Sequence, residues 1–192
     1  MQRLLKTCGV FLALVLLLQG AVPGMAPGEE EASFTPLIPG IKLLAEGDPA
    51  PVFKLSDVNG EEYDFAMHQK KNPHLIVFFS IFCEPCIEEM PIIEQVYHEY
   101  RDQGLEVLAI SIDGPPFKTA VQKNLIEKDG YSFRFLIDEM GEEDFMAADP
   151  YHVPGTPVLY LVDSDGKVVT GHLGRITAKD LKALIDDMLK KG

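Results

Sequence analysis

The sequence has no tryptophan, only 3 cysteines, and a shortage of positive charge: Lys+Arg number 17 against 30 Asp+Glu, a net charge of -13 over 192 residues. Each shortage excludes something. Phosphate backbones are gripped by clustered Lys and Arg, so the charge balance excludes a nucleic-acid partner. So few cysteines cannot build a disulfide-dense scaffold. No internal repeat is visible. Nor is there an unbroken apolar stretch of the ~20 residues that a spanning helix uses. The longest run, Val10 to Leu18, is interrupted by Gln19, Gly20, Pro23 and Gly24. What remains is ample for one ordinary domain: 46% of residues are apolar, which excludes wholesale disorder.

Residues 1–26 read as a signal peptide or an N-terminal membrane anchor rather than as part of the fold. Arg3 and Lys6 precede the apolar run, and small residues follow it, the order of a secretory signal. Gly24-Met25-Ala26 offers a small-x-small cleavage site, whereas Pro27 behind it hinders a peptidase. Cleavage and a membrane tether through residues 8–26 therefore both stay open. Cys8 lies before the apolar run, the wrong side for a bacterial lipoprotein site. Its removal with a signal would leave Cys83 and Cys86 as the only thiols.

From 27 to 47 the chain is rich in Pro, Gly and Glu and reads as a linker, leaving 48–192 as the domain. There, Phe53-Lys54-Leu55 and Tyr63-Asp64-Phe65 flank Asn59-Gly60, predicting a β-hairpin. Leu75 to Phe79 and Val107 to Ile112 are continuous apolar runs, as in strands buried on both faces. Between them, Met90, Ile93, Val96, Tyr97 and Tyr100 recur at helical spacing. A helix with Phe117, Val121 and Leu125 on one face follows, then a short strand from Phe133 to Ile137. Glu142-Glu143-Asp144 predicts the opening of a brief helix, where acids favour the first turn. Asp165-Gly166 turns a second hairpin. Thr177-Ala178-Lys179-Asp180 resembles a capping box ahead of a last helix burying Leu181, Leu184, Ile185, Met188 and Leu189. Strands alternating with helices in this order predict an α/β domain around one mixed sheet.

Chemistry concentrates in Cys83-Glu84-Pro85-Cys86, where the first apolar strand ends and the helix begins. A thiol at a helix N-terminus faces unpaired N–H groups and the positive end of the macrodipole, and both stabilise a thiolate. The second cysteine, one turn inward, can close a disulfide with the first. Cys83 is then the exposed nucleophile and Cys86 the resolving thiol. Pro85 suits a first helical turn, which does not use its missing N–H. Structural zinc needs about four ligands, yet no second C-x-x-C is present and the five histidines form no closely spaced ligand pair. A purely structural bridge over so small a loop gains little entropy. A redox dithiol is the reading these residues favour, with no metal and no cofactor beyond the Cys83–Cys86 disulfide.

These residues resemble the thioredoxin-fold oxidoreductases of the TlpA/ResA/CcmG type. The resemblance covers about residues 48–190. It rests on Pro49 to Leu55 with Asn59-Gly60, on Cys83-Glu84-Pro85-Cys86-Ile87-Glu88-Glu89-Met90-Pro91, and on Ser111-Ile112-Asp113. Tyr151-His152-Val153-Pro154-Gly155-Thr156-Pro157 and Asp163-Ser164-Asp165-Gly166-Lys167 complete it. It implies a thioredoxin-like fold: a central mixed sheet flanked by helices, with an N-terminal β-hairpin and an inserted helical segment. It also implies an extracytoplasmic setting, the bacterial periplasm, secreted or anchored.

By the same resemblance Pro157 is a cis-proline facing the dithiol, and the Thr156 backbone pairs with substrate. Glu89 is a buried carboxylate that accepts and returns the Cys86 proton, and its i+3 spacing puts it on the Cys86 face of the helix. Pro91 kinks that helix or starts a separate one. Phe82, Glu84 and Pro85 border the thiols and contact the partner. Two departures stand out. Phe82 occupies the position where the family usually has Trp, so the indole N–H is lost. Val77 stands where thioredoxins carry an acid in the preceding strand, leaving Glu89 as the only nearby candidate carboxylate.

Glu84 adds a like charge beside the thiols, which disfavours the thiolate and makes the dithiol a reductant. The expectation is reduction of disulfides in exported cysteine-containing proteins, apocytochrome c being a frequent target in the family, with electrons from a membrane thiol donor. Two alternatives stay open. A peroxiredoxin-type thiol peroxidase shares the fold and finds its Ser in Ser80, but Ile76 stands where it needs Pro. A non-enzymatic binding or metal-delivery module on this fold uses a wider Cys spacing plus His.

Overall fold

The computed structural model describes residues 42–191. The export segment read at 1–26, with Cys8, and most of the 27–47 linker lie outside the described residues. No helix among the described residues is long and apolar enough to cross a membrane.

The amino-terminal hairpin forms around Asn59-Gly60: β1 (Lys54–Asp57) pairs antiparallel with β2 (Glu62–Asp64), Leu55 opposite Tyr63. The Asp57 carboxylate ties the turn by accepting from the Asn59 and Glu61 N–H groups, and Gly60 supplies the positive φ of 90° that the turn requires. The two apolar runs become β3 (His74–Phe79) and β4 (Glu106–Ser111), parallel neighbours in register from His74↔Glu106 to Phe79↔Ser111. β5 (Arg134–Ile137) extends the parallel set beside β4, and β6 (Val158–Val162) and β7 (Val168–Leu173) close the other side antiparallel. The result is one seven-stranded mixed sheet in the order β2-β1-β5-β4-β3-β6-β7. It is a thioredoxin-like α/β fold.

α1 (Glu84–Tyr100) links β3 to β4, and α2 (Lys118–Val121), continued by a π-helical stretch Gln122–Lys128, links β4 to β5. Right-handed crossovers stepping the same way along a sheet place their helices on the same face. Side-chain alternation then divides the core in two. Leu75, Val77, Phe79, Val107 and Ala109 join Met90, Ile93 and Val96 of α1, Val121 and Leu125, and Leu181, Ile185 and Met188 of α3 (Ala178–Lys191). Ile76, Phe78, Leu108, Ile110 and Tyr160 face the other way, under Phe53, Phe65, Ala147, Ala148 and Tyr151. The start of the described chain docks on this second face: Leu43 and Leu44 pack against it, and the Gly47 N–H donates to the Val168 carbonyl at 2.8 Å.

Two expectations change, and one alternative closes. Glu142-Glu143-Asp144 open no helix; the segment bends and closes with an isolated antiparallel bridge between Met140 and Phe145. Carboxylates capture the amides a helix would use: Asp149 accepts from Phe145, and Asp138 from Ala147 and Ala148. Phe117 leaves the core stripe, because it ends a 3-10 turn (Pro115–Phe117) and stays 37% exposed while Val121 and Leu125 are buried. Pro91 starts no separate helix; α1 runs unbroken through it.

Candidate active site

The carboxyl ends of β3 and β4 meet the amino end of α1, the usual place for a site in an open α/β sheet. Cys83 is the N-cap of α1, in extended conformation. Its carbonyl accepts from the Cys86 and Ile87 N–H groups, and its Sγ accepts from the Cys86 N–H at 3.3 Å. Cys83 and Cys86 are joined as a disulfide with Cα atoms 5.2 Å apart. The two sulfurs differ in access. Cys83 is partly exposed, whereas Cys86 is 1% exposed within the helix-side core. Pro85 sits in the first turn of α1, and both Glu84 and Pro85 are exposed beside Cys83.

Glu89 is buried at 3% exposure, on the face of α1 that carries Cys86, Met90 and Ile93. Its Oε1 accepts from the Ile176 N–H at 2.8 Å. Burial pushes the Glu89 carboxyl above the ordinary carboxylate range, opposed by that hydrogen bond and by the charge of nearby His172. Glu88 next to it points outward and pairs with Arg175. Adjacent glutamates on one helix thus have opposite surroundings.

The Thr156–Pro157 bond is cis. Val158 pairs with Phe78 at the end of β3, which brings Thr156 and Pro157 to the same sheet end as the cysteines. Pro157 is buried and Thr156 partly exposed. Leu173 pairs with Val158 in turn, and the Gly174 N–H donates to the Pro157 carbonyl at 2.9 Å, so the turn after β7 reaches this end as well.

Two contributors escaped the sequence reading. Asp113, just past β4, accepts from the Ser80 hydroxyl at 2.5 Å, the Ile81 N–H at 2.9 Å and the Ser111 hydroxyl at 2.8 Å. Ser80 Oγ in turn accepts from the Phe82 N–H at 3.1 Å. Glu89 is therefore not the only carboxylate near the motif; Asp113 anchors the turn that presents it. The available signal was its place directly after β4, the strand beside β3. The second contributor is Phe117. Phe82 is 71% exposed and meets the Phe117 ring edge-to-face, centroids 5.1 Å apart. Phe82 and Phe117 thus form an aromatic pair at the rim of the site.

Chemically, the arrangement offers one accessible sulfur, one enclosed sulfur a helical turn deeper, and a buried carboxyl on the enclosed side. That asymmetry suits thiol–disulfide exchange, in which one thiol meets the partner and the other resolves the mixed disulfide.

Known proteins agree with this geometry. A family model described as Redoxin matches residues 45–185. The chain is 32% identical over 145 residues to the thiol-disulfide oxidoreductase ResA of Geobacillus thermodenitrificans, covering 76% of this chain and 79% of that one. It is 31% identical over 138 residues to ResA of Bacillus subtilis, covering 72% and 73%. Among solved structures, a Chlorobium tepidum protein described as a thiol:disulfide interchange protein DsbE superposes with a TM-score of 0.66 at 25% identity, covering 76% of this chain and 99% of that one.

Proposed function

The chain belongs to the Redoxin family and is a thiol-disulfide oxidoreductase of the ResA type, and from that premise we propose that it is an exported reductant of disulfides in extracytoplasmic partner proteins. The observation that carries this reading is the unequal access of the two sulfurs above a buried glutamate.

In the proposed cycle the reduced enzyme presents the Cys83 thiolate to a partner disulfide. A Cys83–partner S–S bond forms, the partner's own S–S bond breaks, and its first sulfur leaves as a thiolate that takes a proton from solvent. Cys86 then attacks Cys83 Sγ. The enzyme disulfide closes, the second partner sulfur leaves as a thiolate that takes a proton from solvent, and two electrons have passed from the dithiol to the partner. The Cys86 proton passes to Glu89, whose Oε1 is engaged by Ile176, so Oε2 receives it. Partner chain aligns along the Thr156 backbone beside Pro157 and contacts Phe82, Glu84 and Pro85 around Cys83. A membrane thiol donor returns the two electrons. Residues 1–26 direct the chain out of the cytoplasm, and apocytochrome c is a target class consistent with this placement.

Insulin reduction by the parent and by Cys83→Ser tests the activity, and equal rates would end this reading. The direction is tested by the potential of the pair: a value as oxidising as about -120 mV, that of DsbA, would make the protein an oxidant instead. Turnover of hydrogen peroxide in place of insulin would favour the peroxidase.

A further inference from the structure

The peptide group between Arg175 and Ile176 is held at both of its polar atoms. Its N–H donates to Glu89 Oε1 at 2.8 Å, and its carbonyl oxygen lies 2.9 Å from His172 Nε2. A carbonyl oxygen only accepts, so His172 Nε2 carries the proton. From the outside, the Arg175 guanidinium pairs with Glu88, one residue before Glu89 on α1. Gly174, at φ 92°, starts this turn and donates its N–H to the carbonyl of cis-Pro157. One short turn after β7 therefore touches the glutamate, its neighbour and the cis-proline together.

We infer that His172 is the positioning residue for the Glu89 carboxylate: by fixing the Arg175–Ile176 peptide it aims that peptide's N–H at Glu89 and thereby tunes the proton exchange between Glu89 and Cys86. The inference rests on the reading of Glu89 as the Cys86 proton acceptor. The physical path is short. Peptide resonance couples the oxygen to the nitrogen, so a donor on the oxygen strengthens the N–H as a donor in turn. A protonated imidazole does this more strongly than a neutral one, and its charge acts directly on the carboxylate as well. Both influences favour the ionised carboxylate and oppose its burial.

Among the described residues, the polar groups that act on Glu89 are the Ile176 N–H and His172. On α1 the flanking groups are Cys86 and the Glu88–Arg175 pair. α3 brings Leu181 and Ile185 to the same core. Its polar ties to α1, Lys182 with Glu99 and the Tyr100 hydroxyl with Asp186, lie about ten residues along the helix, roughly 15 Å away. His172 is only partly buried, so solvent reaches its ring.

The test is the pH dependence of the Cys83–Cys86 reduction potential in the parent, His172→Leu, His172→Gln, Glu89→Gln and the His172→Leu/Glu89→Gln double variant. Expected is a break in the parent profile that Glu89→Gln removes and His172→Leu moves to higher pH. His172→Gln, whose amide still donates to the Arg175 carbonyl, should move it less, and the double variant should match Glu89→Gln. A His172→Leu profile that keeps the parent break, while Glu89→Gln loses it, overturns the inference and leaves the Glu89 reading intact. A Glu89→Gln profile that keeps the break removes the premise, and the inference falls with it. An effect of His172→Leu that persists in the double variant also overturns it. The parent alone gives a check that needs no variant to fold: the Ile176 amide resonance should follow the titration of the His172 imidazole, and an amide that ignores it overturns the inference.

Discussion

The two ends of the central sheet each hold a glutamate, and the two are driven in opposite directions. At the amino ends of β3 and β4, Glu106 accepts from the Asn72 side chain at 2.6 Å and the Tyr63 hydroxyl at 3.2 Å, and His74 Nε2 faces it at 3.5 Å. The close approach of His74 first, then the hydrogen bonds from Asn72 and Tyr63, hold its carboxyl down at about 2 against the opposing pull of burial. At the carboxyl ends, Glu89 has a single backbone donor and deeper burial, and its carboxyl is pushed up. Donor count against burial sets the direction: several donors hold one carboxyl low, and burial with one backbone donor pushes the other up. Shape is a poor guide here. A cleft of about 760 Å³ lies at the Glu106 end, lined by Tyr63, Asn72, Arg101 and Arg134, far from the cysteines. Its charges already face one another, Arg134 pairing with Asp57 at 3.3 Å.

The comparison breaks first on activity. Cys83→Ser should lower insulin reduction by at least about a hundredfold, since the thiol left in the motif, Cys86, is buried away from the partner, while its thermal midpoint stays close to the parent's. Glu106→Gln should do the reverse, keeping the rate and losing about 1–2 kcal/mol at pH 7, as expected for charge-assisted bonds partly open to solvent. That corresponds to roughly 2–8 °C in a domain of this size. The sign follows from linkage. A carboxyl held low contributes stability above its ordinary value of about 4.3, and that contribution disappears as pH falls from about 4 towards 2. The deficit of Glu106→Gln should therefore shrink over that window in thermal melts, and a deficit constant from pH 7 to 3 would remove the anion's bracing role.

Glu89→Gln should give the opposite pH trend. A carboxyl held high binds its proton more tightly in the folded chain than in the unfolded one. Its contribution is present below about pH 4.3 and is lost as pH rises through the folded value. The permanently neutral Gln escapes that loss and can still accept from Ile176. Melts of this variant should match the parent near pH 4 and exceed it at pH 7; equal midpoints at both would mean that burial is not what governs this carboxyl.

How legible each end was follows from sequence distance. The cysteine pair, the Pro85 first turn and Glu89 are joined by helical spacing, so a local pattern places them. The hairpin at Asn59-Gly60 and the apolar strands were equally local. Asp113 meets the Ile81 N–H across 32 residues, and Ile176 meets Glu89 across 87. Such contacts arise from strand order and crossover direction, which periodicity does not encode. Phe117 shows the same limit from the other side. Its spacing to Val121 and Leu125 matched a helical stripe, but Pro115 and Pro116 tighten the turn before α2 and swing it out to Phe82. Glu142 to Asp144 failed because Asp138, reached through β5, claims amides that a helix would have used.

The smallest expected effect tests whether the aromatic pair at the rim serves the partner or only the fold. An edge-to-face contact is worth about 0.5–1.5 kcal/mol beyond its buried area. Both Phe82 and Phe117 are exposed, so the pair gains little by sheltering core and mainly holds a flat apolar surface beside Cys83. Phe117→Leu keeps apolar bulk but loses that contact. It should raise KM for a peptide disulfide by about two- to twelvefold, the range that contact energy implies, and leave kcat and the reduction of a small-molecule disulfide unchanged. Its counterpart at the other end is Tyr63, whose ring lies 5.2 Å from the Arg134 guanidinium. Tyr63→Leu should lower the melting midpoint and leave both KM values alone. If Phe117→Leu slowed the small disulfide as much as the peptide, the pair would be setting the Cys83 environment itself, and the division of labour between rim and thiol would have to be redrawn.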